Sequence, residues 1–295
     1  MIIGTRGSQL ALWQARWVQS QIEGAGILTI KTSGDRFSAA ALPEVGGKGL
    51  FTKEIEEALL DGRADVAVHS LKDLPTEMDP RLIIAAVPRR EDVRDALVGH
   101  TLATLPRGAR VGTGSPRRAA QLRHLRPDLA VESIRGNVDT RLRKLDEGQY
   151  DAIVLAAAGL RRLGLGDRIA EYLSPEIMCP AVGQGALGIQ CRAADSETIR
   201  RLAALEDPGA RAEVSAERAL LAELGGGCRV PIGGSARLEG DTLRLTAVVA
   251  SPDGVQLVRA AVDGPVSDPA ALGRQTARDL LARGAARILR QGPVP

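Results

Sequence analysis

Aromatic side chains are scarce in this 295-residue chain, with two each of Trp, Tyr and Phe. Six rings spread over that length supply no stacking surface for single-stranded nucleic acid, which needs aromatics interleaved along a basic groove. Lysine is scarce too: 34 of the 39 basic residues are Arg and only 5 are Lys. Three Cys make no disulfide framework, so free thiols and a cytoplasmic location are expected. No apolar run reaches the ~18 residues of a membrane span. The opening Met1-Ile2-Ile3-Gly4-Thr5-Arg6 lacks a basic segment followed by an apolar stretch, so no secretory signal is expected. His100 and His124 have no metal-ligand spacing with each other or with Cys, and no metal site is expected.

What is present is an ordinary globular composition, 44% hydrophobic and 25% charged. At about 100–200 residues per domain, two or three domains fit. The net charge is only +3. A GC-rich genome is one reading of the Arg excess, and placement of some Arg for a task is the other.

An internal repeat organises the first ~180 residues. Ile2-Ile3-Gly4-Thr5-Arg6-Gly7-Ser8-Gln9 and Arg110-Val111-Gly112-Thr113-Gly114-Ser115-Pro116 both read as a strand, a Gly-Thr turn and a Ser at a helix N-cap. The first helix is expected to bury Leu10, Trp13, Trp17 and Val18. The second has Pro116 at its first position, where a missing N–H is harmless. Residues 54–68 and 139–155 repeat a second pattern of helix, Gly stop, Asp and buried strand. Two α/β lobes with mostly parallel sheets follow, and their ligand is expected off the strand ends, in a cleft between them. The expected division is residues 1–88 with 186–205, residues 89–185, and residues 206–295.

The last segment changes character. A helix capped by Asp207 starts at Pro208 and runs to Leu224. Strands are expected over 235–239, 242–250 and 255–262, then a helix over 269–290. This is a small α+β domain with a three-stranded antiparallel sheet.

Several segments carry chemistry. Gly112-Thr113-Gly114-Ser115-Pro116-Arg117-Arg118 opens a helix, where free N–H groups and Arg forks suit a carboxylate or phosphate. It lacks the Gly-Lys-Ser/Thr ending of a P-loop, and simple capping by Ser115 is the alternative. Arg135-Gly136-Asn137-Val138-Asp139-Thr140-Arg141 is a second basic cluster, or else a solvated face. Gly159-Leu160-Arg161-Arg162 follows a buried strand. So does His69-Ser70-Leu71-Lys72-Asp73, whose polar residues are expected to leave the sheet at its C-terminal edge. Asp73 is the acid/base candidate there, and His69 reads equally as a structural hydrogen-bonding residue. Cys228 sits between Gly225-Gly226-Gly227 and Arg229; it is either an exposed thiol whose thiolate the cation favours, or a small buried hydrophobe. Cys179 and Cys191 lie in or beside apolar strands and read as structural.

Taken in order, these segments resemble the porphobilinogen deaminase (hydroxymethylbilane synthase) family. The matching pieces are Arg6-Gly7-Ser8-Gln9-Leu10-Ala11, Gly47-Lys48-Gly49-Leu50-Phe51, His69-Ser70-Leu71-Lys72-Asp73-Leu74-Pro75 and Gly112-Thr113 with Arg117-Arg118. Arg135-Gly136-Asn137-Val138, Gly183-Gln184-Gly185-Ala186 and Gly226-Gly227-Cys228 complete the set. The resemblance implies two lobes built like periplasmic binding proteins and a third domain bearing the cofactor. It implies a transferase that joins four porphobilinogens head to tail on a dipyrromethane primer, releasing ammonia and the linear hydroxymethylbilane for a downstream cyclising synthase. By motif match the primer is held by a thioether on Cys228, and Asp73 is the catalytic carboxylate. Its tasks are to stabilise the azafulvene cation and to shuttle protons. The growing chain brings many acetates and propionates into one site, and planar Arg forks bind these bidentately. Motif matching assigns that role to Arg6, Ser8, Lys48, Lys72, Thr113, Ser115, Arg117, Arg118, Arg135, Arg141, Arg162 and Gln184. A monomer is implied, with no nucleic acid or membrane partner.

Four positions depart from the family pattern. Glu44 stands beside the Gly-Gly-Lys motif where many members carry a Lys. Gly114 and Pro116 replace commoner Ser and Leu. Arg229 stands where Gln or a smaller residue is common. A non-catalytic bilobed binding protein for a carboxylate-rich ligand is the competing reading, and a nucleic-acid-binding role the third. The Gly-flanked Cys argues against the former, and the balanced charge with few aromatics against the latter.

Overall fold

The computed structural model describes residues 1–36, 51–225 and 231–290. Glu44, Lys48, Cys228 and Arg229 lie outside the described residues. The chain divides into two compact units, residues 1–91 with 185–211 and residues 92–184 with 212–295.

The first stretch gives β1 (Ile2–Thr5), α1 (Gln9–Ser20), β2 (Gly26–Thr29), α2 (Ser33–Arg36), α3 (Lys53–Leu60), β3 (Val66–Ser70) and β4 (Leu82–Ala86). The next gives β5 (Asp95–Val98), β6 (Arg110–Gly112), α4 (Pro116–Leu125), β7 (Ala130–Glu132) and α5 (Val138–Asp146). It continues through β8 (Ala152–Ala156), α6 (Ala157–Arg162) and β9 (Ile169–Leu173). Then come β10 (Leu187–Arg192), α7 (Ser196–Leu202) and α8 (Pro208–Glu223). The chain ends with β11 (Ile232–Glu239), β12 (Thr242–Ala250), β13 (Leu257–Pro265), α9 (Pro269–Leu280) and α10 (Ala286–Arg290).

The first unit holds a five-stranded sheet in the order β2-β1-β3-β10-β4. Strands β1, β2 and β3 run parallel, while β10 is antiparallel to both its neighbours. The second unit repeats this plan as β7-β6-β8-β5-β9, with β5 the reversed strand. The reversed strand is in each case the one the chain enters by crossing from the other unit. Both sheets are thus mostly parallel, and the repeat extends to strand order.

Burial on both faces explains the apolar runs. Val66 and Val68 of β3 pack with Ile3, Ala15 and Val18, while Ala67 packs with Ile55, Ala58 and Leu59 of α3. The α1 face differs from the one expected. Gln14, Ala15 and Val18 are buried, and Trp13 is 36% exposed. The small Ala15 lets the helix lie close on the sheet, and Gln14 Nε2 donates to Ser70 Oγ at 2.8 Å.

The third sheet, β11-β12-β13, is antiparallel throughout. Alternating Leu243, Leu245, Ala247 and Val249 face Ala216, Leu220, Leu272, Ala277 and Leu280 of the covering helices. Two expectations need correction. Strand β13 begins at Leu257, because Ser251 N donates to Gln256 O at 2.8 Å and Val255 N to Asp253 Oδ1 at 3.0 Å; that turn leaves Val255 75% exposed. The last helix is broken at Gly284, whose φ of 104° lies outside helical space.

Candidate active site

Neighbouring parallel strands release their chains at one edge of a sheet, so the ends of β1 and β3 bring their following residues together. After β1 comes Arg6, whose Cζ sits 4.2 Å from the centroid of the Phe51 ring, a cation–π contact. Ser8 then caps α1, its Oγ accepting from Ala11 N at 3.3 Å. After β3 a single 3₁₀ turn, Leu71–Asp73, carries half-buried Lys72 and exposed Asp73. Arg6, Ser8, Gln14, His69, Ser70 and Asp73 line a cavity of about 70 Å³ in this unit.

His69 does not leave the sheet as expected. It is the fourth residue of β3, opposite Gly188, and is buried. Its Nε2 lies 3.0 Å from Gln190 Oε1, and Gln190 Nε2 donates to Glu56 Oε1 at 3.0 Å. Burial, with the Arg6 charge in support and the Gln190 hydrogen bond opposing, pulls the imidazole down to about 4, so the ring is neutral at pH 7. Burial, reinforced by Asp79, raises the Glu56 carboxyl despite its bond to Gln190.

In the second unit β6 ends at Gly112, and buried Thr113 accepts from Ser115 N at 3.2 Å through Oγ1. Ser115 caps α4, accepting from Arg118 N at 3.4 Å, and Pro116 occupies the first helical position. Arg117 and Arg118 are buried, and both meet Asp95 of β5. Arg117 Nη1 donates to Asp95 Oδ2 at 2.7 Å and to Cys179 O at 2.6 Å. Arg118 Nε donates to Asp95 Oδ1 at 2.9 Å, and Nη1 to Val154 O at 3.1 Å. Gln184 Nε2 donates to the same Asp95 oxygen at 2.8 Å and to Val93 O at 2.8 Å. Burial alone would raise the Asp95 carboxyl; the two guanidiniums outweigh it and hold it well below the ordinary carboxylate range. Burial works against the Arg118 charge, yet a guanidinium remains protonated in proteins. The triad is one carboxylate between two cations and keeps one positive charge in excess.

Arg141, from α5, adds to that excess. Its Nε donates to Gly136 O at 2.7 Å. Burial first, then the charges of Arg118 and Arg135, bring it down to about 10. Gly114 belongs to this site for a steric reason: a Cβ there would lie 2.8 Å from Ile134 O and 3.7 Å from Arg141 Nη2. Arg135 is exposed before α5, and Arg162 is half-buried at the end of α6.

Motif reasoning passed over Asp95, Gln190, Glu56 and Gln121. The last accepts from Cys179 N at 2.8 Å and donates to Cys179 O at 3.1 Å. The available signal was a polar residue inside an apolar strand, as with Asp95 before Ala96-Leu97-Val98 and Gln190 between Ile189 and Cys191. Burial pushes the Cys179 thiol up to about 12 and that of Cys191 to about 11, which makes both poor nucleophiles. Among the described residues no group of three or more His, Cys, Asp or Glu is placed to hold a metal, and no helix is long and apolar enough to cross a membrane.

Residues 1–200 match the family model "Porphobilinogen deaminase, dipyromethane cofactor binding domain", and residues 211–282 match "Porphobilinogen deaminase, C-terminal domain". The porphobilinogen deaminase of Syntrophotalea carbinolica is 53% identical over 296 residues, covering 97% of this chain and 94% of that protein. That of Roseiflexus castenholzii is 54% identical over 298 residues, covering 98% of each. Among solved structures, the second substrate-binding domain of a putative amino acid ABC transporter from Streptococcus pneumoniae aligns at 12% identity and TM-score 0.42, covering 76% of this chain and 94% of that one. A score that low adds nothing to the topology described above.

Proposed function

We infer the residue roles from one premise: the chain belongs to the porphobilinogen deaminase family. The enzyme polymerises porphobilinogen into hydroxymethylbilane in tetrapyrrole biosynthesis and contains the family's dipyrromethane cofactor-binding domain. The observation that carries the role assignment is Arg141. A guanidinium drawn down by burial and by Arg118 and Arg135 is relieved by an anionic ligand, and the acetates and propionates of the cofactor and substrate are such ligands. That donor set fits the group.

Arg135, Arg141 and Arg162 are the carboxylate forks of the second unit in this reading, with Thr113 and Ser115 beside them. Arg117, Arg118 and Gln184 are tied to Asp95 and act by holding the positive field in place. In the first unit Arg6, Ser8 and Lys72 bind carboxylates, together with Lys48, which lies outside the described residues. The dipyrromethane supplies the nucleophilic pyrrole carbon on which the chain is built. Asp73, at the cavity rim, faces the pyrrole N–H groups, stabilises the cation left when ammonia departs from the substrate, and takes the ring proton after coupling. Cys228 holds the cofactor by a thioether. Support comes from its Gly-rich surroundings and from the raised, unreactive thiols of Cys179 and Cys191. The division into two lobes and an attachment domain, a cytoplasmic monomer and hand-over of product to a cyclising synthase complete the proposal.

Intact mass of active enzyme is expected to show a dipyrromethane adduct that peptide mapping places on Cys228. An unmodified mass in active protein, or an adduct on another residue, overturns the attachment. Asp73→Asn is expected to keep the adduct and lose roughly 10²–10⁴-fold in kcat. Near-normal turnover would show the carboxylate to be dispensable.

A further inference from the structure

The chain from His69 through Gln190 to Glu56 fixes the tautomer of a ring that lines the cavity. Gln190 gives its amide N–H to the Glu56 carboxylate at 3.0 Å. Its carbonyl oxygen therefore faces His69, and the ring nitrogen 3.0 Å away must be the one bearing hydrogen. The assignment follows from the network, since the Glu56 oxygen accepts only from the amide side. His69 is thus the Nε2–H tautomer, and its acceptor is Nδ1, on a ring that lines the cavity with Arg6, Ser8, Ser70 and Asp73. Arg6 from the end of β1 repels an imidazolium, and Glu56 of α3 reaches the ring only through the neutral Gln190.

The cavity, about 70 Å³, has room beside His69 for an aminomethyl head. We propose that His69 Nδ1 accepts a hydrogen bond from the primary ammonium of incoming porphobilinogen and so selects the group about to leave, with Asp73 beside it at the cavity rim. The proposal rests on the substrate-site reading above. Its logic is that the C–N electron pair departs with nitrogen as neutral ammonia while the ring keeps the positive charge. The nitrogen must hold all its protons until that bond breaks. An alkylammonium titrates near ~10 and this imidazole at about 4, so His69 orients the ammonium without deprotonating it. An ordinary imidazole would bind it less selectively, since in its charged form it repels an ammonium.

The test compares two ligands on the holoenzyme: porphobilinogen, and the same pyrrole dicarboxylate with methyl in place of aminomethyl, used as an inhibitor. His69→Phe is expected to raise KM for porphobilinogen by roughly 10- to 100-fold, the loss of a hydrogen bond to a charged group. Inhibition by the methyl analogue is expected to be unchanged. His69→Gln retains an acceptor and is expected to restore most of the difference. Equal losses for both ligands, or none for either, overturn the proposal. Should His69→Phe fail to fold, ¹⁵N-histidine spectra of the wild-type holoenzyme decide. A neutral Nε2–H ring from pH 5 to 8 is expected, and an imidazolium or an Nδ1–H ring refutes it. If Asp73→Asn remains active, the role given to that carboxylate falls while the two-ligand comparison stands.

Discussion

Asp95 shows what one residue decides in the second unit. Its carboxylate lies between two buried guanidiniums and also accepts from Gln184. Arg117 and Arg118 were legible from their motif as forks for a carboxylate; that their nearest carboxylate is internal was not. Asp95 is 22 residues from Arg117 in sequence, and no local spacing links them. Asp95→Asn keeps the shape and removes the charge, which leaves two buried cations facing an amide. A broken buried pair costs about 3–5 kcal/mol, and urea melts are expected to show a loss of that size at pH 7. The pH dependence has a definite sign. Asp95 titrates below its unfolded value of ~3.9, so the unfolded chain binds the proton first. Its stabilisation is complete above that value and fades only as pH falls below it, through the depressed folded pKa. The gap between wild type and variant should therefore hold from pH 5 to 8 and narrow in stronger acid. A gap that closes between pH 5 and 7 would mean that another group governs the triad.

At the scale of elements, helix starts and stops were the most legible. Ser8, Ser115 and Asp207 cap the helices they were expected to cap, with Asp207 Oδ1 accepting from Ala210 N at 2.8 Å. These signals are local. Strand direction is not, because an apolar run buried on both faces reads the same both ways, and the reversal of β5 and β10 comes from crossovers of distant chain. Gly233 and Gly234 taught a related lesson. They precede the strand expected from residue 235, yet both lie inside β11, where other groups come too close for a side chain. A Cβ on Gly233 would lie 2.8 Å from Cys179 O and 2.9 Å from Val248 Cγ1. The first is buried backbone and the second a β-branched side chain inside β12, so neither yields cheaply. Gly233→Ala is expected to cost about 1–3 kcal/mol by overpacking and to raise exchange at β11 amides. A thermal melt within error of wild type would show that the strand shifts freely there.

At the scale of the whole chain, the +3 charge is nearly uninformative, because it averages over local groupings such as the two guanidiniums at Asp95 with Arg141 close by. More informative is how residues 92–184 and 212–295 come to form one unit. Arg123 Nη1 of α4 donates to Pro252 O at 2.8 Å, and His124 Nδ1 lies 2.9 Å from Gly254 O, so the β12–β13 turn seats on the helix that carries Arg117 and Arg118. Glu217 of α8 makes the second tie. Fully buried, its carboxylate accepts from Gly183 N at 2.6 Å and from Ala236 N of β11 at 2.7 Å. Both partners are donors, and only a group with two acceptor oxygens satisfies both. Glu217→Gln has one such oxygen, so a buried N–H at Gly183 or Ala236 is left facing an NH2. An unsatisfied buried donor costs about 1–3 kcal/mol. If the unit opens cooperatively, that loss appears everywhere in it. Hydrogen exchange in β5 and in β12 is then expected to accelerate by the same factor in the variant. Acceleration confined to β11, β12 and β13 would show that the C-terminal sheet opens on its own and that Glu217 does not couple it to the segment carrying Asp95.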